Sequence, residues 1–167
     1  INGVMLDLIA DGISVILVDH DTQILAEPDG ISEMGPGAGA DGGTVIAQGS
    51  VKEISENPAS KIGPFLAEAA HAAAGNSANA RKPDENRSVP DGGSLFSAGT
   101  IRLSTGPIHT VKPLEVEIPK GKLTVVTGVS GSGKTTLILE SLIPGLEALI
   151  HRQPLPGHIR VLDAGGI

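Results

Sequence analysis

At 167 residues the chain is long enough to bury a core, but Phe65 and Phe96 are its only aromatics beside 23 glycines and 12 prolines, so that core has to come from Val, Ile, Leu and Ala. The absence of cysteine excludes a disulfide framework and a thiolate zinc site. The net charge of −7 is uneven: residues 1–80 hold two lysines against eleven acids and the remainder ten basic against eight acidic groups, which excludes the first half as a nucleic-acid holder on its own.

In chain order, residues 4–11 read as the end of a helix stopped by Gly12, as if the chain were cut from a longer one. Residues 13–18 are a nearly continuous β-branched run, the pattern of a strand buried on both faces of a parallel sheet, ending in Asp19-His20-Asp21. Asp21 is placed to cap a short helix through Ala26, closed by the Pro28-Asp29-Gly30 turn. Residues 31–34 and 44–48 predict a strand pair around the glycine-rich loop 35–43. Ser50 and Glu53 form a capping box opening a helix that stops at Asn57-Pro58. An alanine-rich helix spans 64–74, with Gly75 at its end.

Residues 76 to about 97 keep no apolar period and read as a disordered linker. Strands follow at 99–103 and 114–118, the second alternating Leu-Glu-Val-Glu-Ile in the half-exposed antiparallel manner. The apolar strand around Leu123, Val125 and Val126 then breaks into Gly128-Val-Ser-Gly-Ser-Gly-Lys-Thr135 and a helix from about 134 to 143, which Pro144 is expected to kink or end. A second helical stretch to about Arg152 and a strand at 158–162 complete the chain.

Strand, spacing, Lys-Thr and helix together make residues 128–135 a P-loop. Its glycines let successive amides turn inward around a phosphate, and the helix adds its positive dipole end there. Lys134 would reach the β and γ phosphates of ATP, and the Thr135 hydroxyl would ligate Mg2+. The cofactor-binding set is Gly128, Ser130, Gly131, Ser132, Gly133, Lys134, Thr135 and Thr136. Gly37, Gly39 and Gly42 fit a dinucleotide spacing, but they lead into a strand instead of a helix N-terminus, which argues against that reading. Residues 15–19 look like a Walker B strand yet precede the P-loop. His71, His109, His151 and His158 lack partner spacing and read as structural.

Three stretches resemble the UvrA excinuclease family of ATP-binding-cassette ATPases. Val15 to Asp21 is similar to its switch-histidine strand, with Asp19 where that family usually has Glu. Gly35-Pro-Gly-Ala-Gly39 through Gly42-Gly43 is similar to the glycine motif that follows. Val116 through Thr136 is similar to the Walker A region opening the second nucleotide-binding half.

The resemblance implies an α/β fold of P-loop NTPase segments: residues 1–75 the tail of one half, 76–98 the linker, and 99–167 the head of the next. Asp19 and His20 then belong one strand after Walker B, with His20 a catalytic γ-phosphate sensor, and His20 and Lys134 are expected to serve different ATP sites. The implied parent is a dimeric repair ATPase that recognises damaged DNA and hands it to excision-repair nuclease subunits. With no signature motif and an incomplete Walker set, the chain alone is expected not to hydrolyse ATP.

The alternatives are the ATPase subunit of an ABC transporter, and a stand-alone nucleotide-binding or scaffold protein whose permuted halves share one sheet and bring His20 beside Lys134. No stretch reaches the roughly 18 apolar residues of a membrane span, and the start lacks the basic residues of a signal peptide. A soluble, cytoplasmic protein is expected.

Overall fold

The computed structural model of the chain describes residues 3–21, 24, 25, 27–75 and 95–165. The expected linker at 76–98 therefore lies outside the described residues except for a turn at 95–98, and the expected helix from Asp21 to Ala26 lies partly outside them.

Helix α1 (Gly3–Ala10) ends before Gly12, whose φ of +82° is the left-handed turn a glycine stop provides. Strand β1 (Val15–Val18) follows, then β2 (Gly30–Gly35), β3 (Thr44–Gly49), α2 (Val51–Glu56) and α3 (Gly63–Gly75). The capping box is present: Glu53 N–H donates to Ser50 Oγ at 3.3 Å, and Ser50 N–H to the Glu53 carboxylate at 2.7 Å. The later strands are β4 (Thr100–Thr105), β5 (Leu114–Pro119), β6 (Leu123–Gly128) and β7 (Ile159–Asp163).

After the glycine loop, residues Thr136–Leu142 form a π-helical segment that runs on into α4 (Ile143–Ile150). The π-helical segment ends at Leu142, and Pro144 sits in the first turn of α4, so the change of helix type falls beside it while helical backbone continues.

The strands form two sheets. The first has the order β1-β6-β2-β3, with β6 parallel to both neighbours and β2–β3 an antiparallel hairpin. The second is antiparallel, in the order β5-β4-β7. The family resemblance puts residues 1–75 and 99–167 in different nucleotide-binding halves, whereas in this chain the two segments share a sheet. Val125 is the register partner of Leu17 on one side and Ile31 on the other.

Alternation along β6 feeds two cores. Val126 packs with Met34, Leu103, Val116, Leu137 and Leu142, between the first sheet, the second sheet and the glycine-loop helix. Val125 packs with Leu25, Ile31, Ile54 and Leu66 on the opposite face, under α2 and α3. A near-continuous apolar strand is what burial on both faces requires.

Because Val125 joins both segments, Val125→Ala is expected to cost about 2 kcal/mol and to lower the stability of both in one urea transition. Amide exchange at Leu66 and Leu103 checks this: loss of protection at one with full retention at the other would show that the segments unfold separately.

Candidate functional site

The C-terminal ends of three strands meet at one edge of the first sheet: β1 ends at Asp19-His20, β2 opens into the Gly35–Gly43 loop, and β6 opens into the Gly128–Thr135 loop. That edge is where ligands sit on open parallel sheets.

Gly128, Gly131 and Gly133 have φ values of +145°, +78° and +100°, conformations that residues with a Cβ adopt only under strain. At Gly128 the space is closed as well, since a Cβ there would stand 2.3 Å from the Met34 carbonyl oxygen. Ser132 is fully buried, and its N–H donates to the Val129 carbonyl at 3.1 Å. Lys134 folds back over the loop, its ammonium donating to the carbonyls of Gly128 and, at 3.0 Å, of Val129. Burial holds Lys134 below the usual lysine range. Thr136 Oγ reaches toward Glu140 at 3.5 Å, and Glu140 pairs with His109 at 2.7 Å.

His20 is exposed at the end of β1. Its backbone is fixed by Asp19, whose Oδ1 accepts from the N–H of His20 at 2.6 Å and of Asp21 at 2.9 Å. These bonds, Asp21 N–H first and His20 N–H second, hold the Asp19 carboxyl below its ordinary value.

Asp19, His20, Ser130, Gly131, Gly133, Lys134, Thr135 and Thr136 line one depression of about 410 Å³, joined by Thr110 from the β4–β5 connection. Of the sequence-derived residues, Ser132 is buried inside the loop, and Gly128 lines a neighbouring hollow of about 240 Å³. His20 borders both hollows and lines one of them together with Lys134.

Thr110, Glu33 and Lys61 were not singled out in the sequence. Glu33 is 2% exposed in mid-β2. Its carboxylate accepts from Ser60 Oγ at 2.5 Å and from the N–H groups of Lys61 and Ile62 at 3.0 and 3.3 Å, which anchors the start of α3 to the sheet. Lys61 donates to the Pro36 carbonyl. A lone charge in an apolar strand was the available signal, because buried carboxylates demand partners. His158 bonds Ser141 at 2.9 Å, and among the described residues no group of three or more His, Asp or Glu side chains is placed to hold a metal ion.

One depression thus gathers the Lys134 side chain, the hydroxyl residues Thr110, Ser130, Thr135 and Thr136, the Asp19 carboxylate and the His20 imidazole.

No family model matches the chain. Curated relatives do. The protein named UvrABC system protein A of Chlamydia trachomatis is 38% identical over 141 residues, 84% of this chain and 7% of that protein. Its namesake in Aquifex aeolicus is 37% identical over 135 residues, 78% of this chain and 12% of that protein. The one in Clostridium perfringens is 35% identical over 150 residues, 89% of this chain and 14% of that protein. The chain therefore spans between a fourteenth and a seventh of the length of these relatives.

The Asp19 hydrogen bonds predict a pH signature. A carboxyl held low in the folded state adds stability above its unfolded value of about 4 and loses it as pH falls through the folded value. Asp19→Asn is therefore expected to be less stable than the unaltered chain at pH 7, with the gap closing below about pH 4. Urea unfolding across pH 3 to 7 checks this; a constant gap would show that the carboxylate charge is not involved.

Proposed function

Given that this chain belongs to the UvrABC system protein A family, we propose that it carries an ATP site of a damage-recognition ATPase in nucleotide excision repair. The observation that carries this reading is the Gly128–Thr135 loop, with its three left-handed glycines and its lysine, opening at the end of a buried parallel strand. Lys134 exchanges its two loop carbonyls for the β and γ phosphates, and the Ser130 and Thr136 hydroxyls stand beside them. Mg2+ takes hard oxygen ligands, and the Thr135 hydroxyl and the Asp19 carboxylate, both on the lining of the depression, would hold it. The ion would supply neutralisation of phosphate charge there. His20 stands at the end of β1 as the group that senses the γ phosphate.

Recognition of damaged DNA, delivery to excision-repair nuclease subunits and dimerisation belong to the longer relatives' whole chain, of which this stretch supplies the nucleotide-handling part. Its acidic balance keeps it from holding a phosphate backbone by itself. The names of the relatives favour this over a transporter ATPase. No described helix is long and apolar enough to cross a membrane.

One observation favours a second reading. Because β6 lies between β1 and β2, the chain is also suited to be a self-contained nucleotide-binding unit, a reading that differs from the first in needing no further segment of a longer protein.

Two measurements test these readings. A fluorescent ATP analogue with Mg2+ is expected to bind the chain, and Lys134→Ala to weaken binding at least tenfold, as for loss of a charge-assisted phosphate contact; unchanged affinity overturns the site. In limited proteolysis, MgATP is expected to protect both segments. Protection confined to residues beyond about 99 would return His20 to a different site. ATP turnover by the chain alone is expected to stay at background.

A further inference from the structure

The Gly35–Gly43 loop runs backbone against backbone along the Gly128–Thr135 loop. Gly39 N–H donates to the Gly131 carbonyl at 3.0 Å, and Gly43 N–H to the Ser132 carbonyl at 3.0 Å. The approach leaves no room for side chains. A Cβ on Gly42 would lie 2.3 Å from the Gly37 carbonyl oxygen and 3.2 Å from Ser132 Cα, and one on Gly43 would lie 2.0 Å from the Thr110 carbonyl oxygen. From the other side, Lys112 N–H donates to the Gly43 carbonyl at 2.8 Å. Gly43 is therefore held between the β4–β5 connection and the glycine loop.

These bonds determine where the loop's own amides point. Among the described residues the one cis peptide is Gly35–Pro36, so the Ser132–Gly133 peptide is trans and its N–H is opposed to its carbonyl. Drawing the Ser132 carbonyl toward Gly43 turns the Gly133 N–H to the other side, where Gly133 and Lys134 line the depression. The Gly131–Ser132 peptide is held at both ends, its carbonyl by Gly39 and its N–H by the Val129 carbonyl. A loop with three glycines left to itself would spread over many orientations.

We propose that Gly39 and Gly43 are positioning residues for the phosphate cradle: their N–H groups brace the Gly131 and Ser132 carbonyls, which fixes the loop so that the Gly133 amide faces a polyphosphate before it arrives. This rests on the nucleotide-site reading and deepens it. Oriented donors give up less freedom on binding than donors that must first be ordered.

The test replaces single backbone amides by esters in the full chain, made by semisynthesis with glycolic acid in place of Gly43. The ester deletes the N–H and adds no Cβ. The probes are the fluorescent ATP analogue with Mg2+ and inorganic tripolyphosphate as competitor. The Gly43 ester is expected to bind both roughly tenfold more weakly, the loss of about one oriented hydrogen bond to a charged group, while its circular dichroism stays that of the unaltered chain. Gly39→Asn keeps its N–H, and its left-handed φ of +58° in open space suits asparagine, so affinity is expected within about twofold of the original.

A folded Gly43 ester that binds as tightly as the unaltered chain overturns the brace. Should that ester fail to fold, the Gly39 ester carries the same comparison, with the same two results. If the unaltered chain binds, Lys134→Ala abolishes binding and the esters change nothing, the brace alone falls. If the unaltered chain binds neither probe, the nucleotide site falls and the brace with it.

Discussion

The arrangement depends on one requirement, that β6 be hydrogen-bonded along both edges while both its faces are covered. Its residues from Leu123 to Thr127 are buried, and unpaired backbone groups in such a place are costly. Residues 95–165 cannot meet the requirement alone, because β4, β5 and β7 pair among themselves. The first segment meets it by placing β1 on one edge and β2 on the other. The site follows from that placement. The loops after β1, β2 and β6 are brought to one sheet edge, so residues more than a hundred positions apart line one depression.

The sequence was most legible where the deciding interaction is local. The Gly12 stop, the Ser50–Glu53 box, the alternation of β5 and the glycine spacing after Gly128 each depend on residues a few positions apart, and all appear in the structure. Strand order was not legible, because parallel pairing of β1 with β6 leaves no mark within either strand that names its partner. The resemblance to a two-half ATPase supplied an order, one that assigned His20 and Lys134 to separate sites. The Glu33 contacts were hidden for a similar reason, since its partners lie 27 to 29 residues further on.

The glycine loop sits where the two cores meet. Val126 and Leu137, at its two ends, belong to the core shared with the second sheet, while Val125 belongs to the core under α2 and α3. Gly133 stands against Val111 of the β4–β5 connection, since a Cβ there would lie 2.7 Å from Val111 Cγ2. Packing that close transmits displacement. The loop is therefore fixed by sheet one through Met34, by the glycine loop after it through Gly43, and by the β4–β5 connection through Val111 and Lys112.

Rigidity is not shared evenly between the two walls of the depression. The loop wall has two backbone bonds from the Gly35–Gly43 loop, buried Ser132 and the apolar anchor Leu137. The wall that carries Asp19 and His20 is a four-residue strand with one neighbour among the described residues, followed by a turn held by the Asp19 carboxylate and by backbone bonds to the Val126 and Asp21 carbonyls. Helix α1 beside it buries none of its residues. Segments with few buried contacts open at the lowest free energy. A ligand seated on the braced loop would thus find its phosphate contacts already arranged and would change mainly the ordering of residues 15–21, so the histidine side of the site is where binding becomes visible to the rest of the protein.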